Sequence, residues 1–408
     1  MEGLDRRSVL RTGLLAGGVG VAAVAATHQA RGTPGPVQRE AGAEAVSKRP
    51  DTLPFRGPRQ AGITDEPQPF AAFVGLDLPE GSDKGTCRRL LRVWTDDIER
   101  LMAARGPLTD LEPELAAVAS RLSVTVAVGP GFYDATGLAA ARPSWLAPLP
   151  RFDIDRFESD WPQTDVLLQI RADSPVSVAH AQRRLVVGAE SLAVQRWVQR
   201  GFREPLTANR PGMPFRNLFG QVDGTVQPAV DGSEDGLVWI GAGDTAAPRG
   251  LDGGTSLVIR RIAMNMDTWD EVDRVARENA VGRRLASGAP LTGRGETDLP
   301  DLAATDELGF PLIDPTSHLR RAMPTSPRER ILRAPYSYDD APAPGRRSNS
   351  GLVFVAYQAD PVRQFLPIQQ RLAEADLLNI WTRPISSGVY AVLPGARQGE
   401  DLGAALLA

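Results

Sequence analysis

The chain has 408 residues, 42% of them hydrophobic, so two packed units, or one unit with tails, is the starting expectation. Its formal net charge of −4 argues against a nucleic-acid partner, because phosphate neutralisation needs a basic face or groove. The single cysteine, Cys87, excludes an intrachain disulfide and any cysteine-based zinc or iron–sulfur centre, and reads as a small residue packed on a helix.

At the N-terminus Arg6 and Arg7 precede Val9 and Leu10 and a mild apolar run to Ala26, with Ala23-Val24-Ala25 as a small-residue cleavage site. The run is too short and too rich in Gly and Ala to span a bilayer stably. It resembles a twin-arginine export signal over residues 1–26, and implies an exported protein, extracellular or periplasmic. That route carries folded proteins, commonly with a cofactor in place, so a cofactor is expected before any site is found.

Residues 27–65, rich in Pro, Gly, Ala and charge, read as a flexible exit segment, with folded structure beginning near Gln68. "AAFVGLDL" reads as a strand, "GTCRRLLRVWTDDIERLMA" has helical spacing through Leu90, Val93, Ile98 and Leu101, and "LSVTVAVG" is again a strand. "TDVLLQIRA", a helix from Ser174-Pro175 and "LAVQRWVQRGF" complete a β-α-β-β-α-β order. His180, among Val176, Val178 and Leu185 on that helix, reads as packed or capping, without charged partners.

A second pass follows: "SLVIRRIAM", a helix from about Asp267 to Arg277, "GLVFVAYQA", a helix opening at Asp360-Pro361, and "SGVYAVLPG". In that last helix Asp360 is the expected N-cap, and Phe365, Ile368 and Leu372 share a face. The expected fold is α+β: two tandem ferredoxin-like domains with antiparallel sheets, of the dimeric α+β barrel type, over 66–210 and 211–400. A long insertion, about 283 to 350, interrupts the second, and loops of that length are functional or disordered.

Two stretches carry the candidate chemistry. In "NLFGQVDGTVQP", Gly220, Asp223 and Gly224 form a G-x-x-D-G pattern, either a plain turn or a carboxylate presented into a pocket by a tight loop. In "SHLRRAMPTSPRERILRAPYSY", His318 is followed by arginines at 320, 321, 328, 330 and 333. The histidine is either solvated on a charged loop, or ligates a metal cofactor while some arginines meet anionic groups such as propionates. Haem suits a chain this poor in histidine, because it needs only one strong axial protein ligand. Splitting a peroxide O–O bond further needs a group that moves a proton between the oxygens and a positive charge to receive the developing negative one. An Asp and an Arg over the open iron face would supply both.

These residues carry a resemblance. "FGQVDGT", "SHLRRAMP", "ILRAPYSY", "LVFVAYQADPVRQFLPIQQRLAEADLLN" and "GAPLTG" are similar to the dye-decolourising haem peroxidases, in particular the exported branch that includes deferrochelatases, from about Pro54 to Gly395. The resemblance implies two ferredoxin-like domains with haem b, one per chain, in the C-terminal one. Carried over by motif, Asp223 and Arg333 are the distal catalytic pair, His318 is the proximal iron ligand, and Gly224 and Thr225 join these three around the cofactor. Hydrogen peroxide and a reducing substrate, such as a dye or phenol, are the implied partners, with no stable membrane span, and self-association into a homo-oligomer is an open expectation. Tyr336, Tyr338, Tyr390 and Trp381 are candidates for relaying electrons from bulky donors, or else plain packing.

The chain also departs from the family pattern. Arg59 stands where the branch commonly has His, Gln221-Val222 replace Phe-Lys before the aspartate, Met323 replaces Asn, and "WTRPISSGVY" lacks a further histidine. Two rival readings accompany the peroxidase: a deferrochelatase or haem-handling protein in iron uptake, and a non-enzymatic haem-binding module.

Overall fold

The computed structural model describes residues 51–204, 215–243 and 246–408. The expected signal over 1–26, most of the exit segment and the expected domain boundary at 210/211 lie outside those residues.

Among the described residues nine strands make one sheet: β1 (Phe70–Asp77), β2 (Ser123–Val128), β3 (Val166–Ala172), β4 (Val194–Phe202), β5 (Thr255–Met264), β6 (Leu332–Arg333), β7 (Tyr336–Asp340), β8 (Asn349–Gln358) and β9 (Thr382–Val392). The first half runs β4-β1-β3-β2 and the second β9-β5-β8-β7, each the antiparallel order of a split β-α-β unit. β2 pairs with β9 through Ala127↔Val392 and Val128↔Ala391, and β4 with β7 through Phe202↔Ser337. Since β5 also pairs with β8 along its length, the neighbour list returns on itself and the sheet closes as a barrel. Residues from Pro50 to Ala408 thus form one compact unit, in which the two expected halves share a single sheet.

Strand alternation decides what faces what. On β1, Ala71 and Phe73 point into one buried cluster with Tyr336, Val353, Val355 and Tyr357. Ala72, Val74 and Leu76 point to the other face, where they meet Trp94, Ile98 and Leu101. Those last three sit on helix Lys84–Met102, whose first turn Asp83 caps by accepting from the Thr86 amide at 2.7 Å. Cys87 is buried on the same helix, and desolvation pushes its thiol up to about 12, so it is packing and not a nucleophile.

Three expectations change. The exit segment does not stay free to residue 65: Leu53, Phe55 and Ile63 are buried, and the Gln60 amide donates to the carbonyls of Val126 and Leu393, both at 2.8 Å. That side chain bridges β2 to the chain leaving β9, so the segment belongs to the folded unit. The insertion over 283–350 is not a structureless loop, because it contributes β6 and β7, the latter sealing the barrel between β4 and β8. Asp360 does cap, accepting from Val362 and Arg363 amides at 2.9 and 3.2 Å, but it caps a turn ahead of the helix, which begins at Phe365.

Candidate functional site

The G-x-x-D-G segment is a tight hairpin. The Asp223 amide donates to Phe215 O at 2.9 Å, the Asn217 amide to Gln221 O at 3.0 Å, and Asn217 Oδ1 accepts from the amides of Phe219 and Gln221. Gly220 and Gly224 have φ of +75° and +96°, a left-handed backbone that side chains resist. The Asp-Gly pair is a turn, as its chemistry requires, and the turn leaves the Asp223 carboxylate free to reach across the fold. Thr225 fastens the loop on its far side, donating to Glu296 Oε1 at 2.9 Å.

What Asp223 reaches is Arg333: Nη1 lies 2.9 Å from Asp223 Oδ1. Arg333 is held on β6 by a reciprocal clasp. Its amide donates to Gln227 Oε1 at 2.8 Å, and Gln227 Nε2 donates back to the Arg333 carbonyl at 2.8 Å. The backbone of the arginine is therefore pinned to the segment that follows the hairpin, and only its side chain has freedom.

His318 opens a short helix, His318–Ala322, whose entry is fixed by Ser317 donating through its amide and hydroxyl to Asp314 O at 3.0 and 2.8 Å. Its Nδ1 lies 2.6 Å from Asp376 Oδ2. The Asp376 side chain is only 4% exposed, and its other oxygen accepts from the Leu378 amide at 2.9 Å. The imidazole keeps 38% of its side-chain surface open, so with Nδ1 engaged the nitrogen offered to a ligand is Nε2. Burial pushes the His318 pKa down, but the Asp376 charge and its hydrogen bond outweigh that, and the net direction is up. Arg333 and Asp223 both act electrostatically on His318, so the three expected site residues share one locale.

Asp376 is the residue the sequence did not signal. It lies 58 positions after His318, where helix Phe365–Ala375 ends, and no spacing rule ties the two. The remaining arginines of the His318 stretch are not a uniform wet run: Arg321 pairs with Glu374 at 2.9 Å and Arg330 pairs with Glu234. His180 is corrected too. It is buried, but its Nε2 lies 2.8 Å from Asp110 Oδ2, with Arg184 on the other oxygen of that carboxylate at 3.6 Å.

The departures fall around the site. Arg59 pairs with Asp235 and stacks over Trp239 at 4.4 Å, so it braces the loop before β5. Gln221 is buried in the hairpin, and Val222 packs where a side chain at Gly288 would collide, 2.9 Å away. Met323 ends the His318 helix, and its carbonyl accepts from Arg371 at 2.9 Å. Of the relay candidates, Tyr336, Tyr338 and Tyr390 are buried in the barrel core. Trp381 is half-buried and meets Trp269 edge-on at 5.1 Å, and Trp269 meets Phe219 of the hairpin at 4.4 Å.

Comparison with known proteins identifies the family. Residues 60–203 match the N-terminal and residues 215–397 the C-terminal model of the Dyp-type peroxidases. A dye-decolorizing peroxidase of Thermobifida fusca is 38% identical over 360 residues, covering 85% of this chain and 83% of the relative. A deferrochelatase of Escherichia coli O157:H7 is 32% identical over 413 residues, covering 96% and 94%. The crystal structure of a DyP-type peroxidase from Cellulomonas bogoriensis superposes with a TM-score of 0.84 at 52% identity, covering 87% of this chain and 98% of that one. By fold, by sequence and by the order of its two halves, the chain belongs to the Dyp-type peroxidase family and is a haem-dependent oxidoreductase acting on peroxide.

Proposed function

We propose that this chain binds one haem b through His318 Nε2 and reduces hydrogen peroxide at the expense of a dye, phenol or similar donor, with Asp223 and Arg333 as the catalytic pair. The observation that carries the reading is the 2.9 Å Arg333–Asp223 contact, set in the same electrostatic neighbourhood as an imidazole whose Nδ1 is already taken.

The residues present fit haem. The donor set is a single imidazole tethered by a buried carboxylate, a common second partner for an iron-ligating histidine. Ile262 on β5 and Phe354 on β8 stay partly open on strands otherwise almost wholly buried, which suits an apolar macrocycle. When bound, haem supplies an iron centre that peroxide can reach and that two electrons restore.

The protein's own part is proton and charge handling. Asp223, held at a fixed point by the hairpin, accepts a proton from the nearer peroxide oxygen and returns it to the farther one, which leaves as water. Arg333 contributes the positive charge of its guanidinium where negative charge accumulates as the O–O bond lengthens. Gly224 and Thr225 hold the carboxylate in place, the latter through Glu296. Export by the twin-arginine route, on the strength of Arg6, Arg7 and the apolar run after them, belongs to the same proposal.

The test is a spectrum and a turnover assay of the purified protein. A Soret band, peroxide-dependent oxidation of a phenol, and loss of haem retention in His318→Ala are expected. A colourless protein that takes up no added haemin would end the reading. Likeness to deferrochelatases over nearly the whole chain supports a second reading, iron release from haem that leaves intact protoporphyrin. Porphyrin fluorescence appearing on incubation with haem and a reductant would favour it.

A further inference from the structure

Behind the His318 helix lies an open groove of about 380 Å³. Three guanidinium groups, Arg320, Arg321 and Arg371, line it together with the apolar side chains of Leu302, Met323 and Pro324. Asp223, Arg333 and His318 do not line it, so it is separate from the site described above.

The charges in it do not cancel. Arg321 is paired with Glu374 at 2.9 Å, and Arg371 with Glu329 at 3.0 Å. Arg320 has only carbonyl partners, Leu302 O at 3.1 Å and Ile313 O at 3.2 Å, and among the described residues it makes no ion pair. One full positive charge therefore faces a cavity with apolar walls, large enough for a fused two-ring aromatic molecule. An ammonium would meet three guanidinium groups there and be repelled, whereas an aromatic anion has two partners: a flat apolar wall and a guanidinium.

We infer that this groove binds the reducing substrate, and that the class it takes is an aromatic hydroxyl compound bearing a sulfonate or carboxylate, with Arg320 as its anchor. The inference rests on the peroxidase reading for the donor's role, though not for its binding. The redox balance is ordinary: one hydrogen peroxide takes up two electrons and two protons to give two waters, and two donor molecules each lose one electron and one proton from the hydroxyl to become phenoxyl radicals. Arg320 is two residues from His318 on the same short helix, so a donor held there lies within the packing of the element that carries the iron ligand. Met323 forms part of the wall at the position where the family pattern has Asn, and the apolar thioether makes this groove a better seat for a ring.

The experiment uses the full chain and a matched pair of probes, a hydroxynaphthalenesulfonate and naphthol, which share a ring and a hydroxyl and differ in charge. Calorimetric titration without peroxide reads binding alone, and steady-state oxidation reads KM and kcat. Arg320→Gln is expected to weaken sulfonate binding and raise its KM about fivefold, with kcat and both naphthol values unchanged. Leu302→Glu, which puts a repelling charge on the opposite wall and leaves the His318 helix intact, is expected to do the same. It decides the matter if Arg320→Gln alone disturbs the Soret band. Equal sulfonate binding in wild type and both variants, or equal weakening of naphthol, overturns the inference. A wild type that binds the sulfonate but oxidises neither probe with peroxide leaves the binding site standing and removes both its role as a donor site and the peroxidase reading.

Discussion

Asp376 Oδ2 lies 2.6 Å from His318 Nδ1, closing a contact between the end of one helix and the start of another that are 58 residues apart. The carboxylate raises the electron density of the imidazole and fixes which nitrogen is free, so it sets both the orientation and the basicity of the proposed iron ligand. Asp376→Asn keeps a hydrogen-bonding side chain and removes the charge. It is expected to lower haem affinity or turnover about 10–100-fold, the range typical when such a partner of a metal-ligating histidine is lost. Haemin titration followed at the Soret band measures the first, and an affinity equal to wild type together with unchanged turnover would show that the carboxylate has no such role.

Gln227 is a positioning residue that touches neither peroxide nor cofactor in this account. Its side-chain amide clasps both backbone groups of Arg333 at 2.8 Å. Gln227→Ala removes two hydrogen bonds at once and should cost about 1–2 kcal/mol of stability. It should also slow the reaction with peroxide about tenfold by letting Arg333 drift from Asp223. Gln227→Glu restores one half of the clasp, accepting from the Arg333 amide, and should recover part of the rate. A melt and a stopped-flow peroxide titration separate the two effects, and a lowered melting temperature with an unaltered rate would reduce Gln227 to a structural residue.

Trp381, Trp269 and Phe219 form a chain of ring contacts from a half-buried position to the hairpin that carries Asp223. If it conducts, Trp381→Phe lowers kcat for dyes too bulky to enter a pocket and leaves a small phenol unaffected. Steady-state kinetics with one donor of each size checks this, and equal loss for both would argue for disturbed packing and against a relay.

Asp97 is buried on helix Lys84–Met102, where desolvation first and the neighbouring Asp96 next push its carboxyl up to about 6. The ordinary aspartate value is about 3.9. The folded state thus binds a proton that the unfolded state releases between those two values, so stability falls as pH rises from about 4 to about 6. Asp97→Asn should remove that slope and be more stable than wild type by about 1–2 kcal/mol at pH 7, with no advantage at pH 4. Chemical denaturation at the two pH values tests it, and a variant less stable at both would show that the carboxylate makes contacts worth more than its desolvation costs.

Much of the scaffold was legible because its strands are short, nearly continuous apolar runs. The residues of "AAFVGLDL" and "LVFVAYQA" divide between two buried faces, and runs of that length rich in aromatic and β-branched residues read as strands. β6 and β7 were hidden because Pro335 breaks them into pieces of two and five residues inside a segment full of arginine and proline. The packed stretch from Leu53 to Ile63 was hidden because it has no periodicity of its own and is held by side-chain contacts such as that of Gln60. Site residues divided the same way. Asp223 advertises itself by the glycines its turn requires, whereas Asp376 and Asp110 meet histidines 58 and 70 residues away, a relation made by the fold. Arg333 was singled out from its neighbours by resemblance alone, and its ion pair with Asp223 is again a relation made by the fold.

The central claim is that Asp223 and Arg333 act together on peroxide at a centre held by His318. Stopped-flow mixing of the haem-loaded protein with peroxide measures it most directly, as the second-order rate of the Soret change in wild type, Asp223→Asn, Arg333→Leu and the double variant. Each single change is expected to cost about 100-fold or more with haem still bound, and the double variant less than the product of the two, because each residue works through the other. A double variant that retains haem and reacts with peroxide at the wild-type rate would contradict the account.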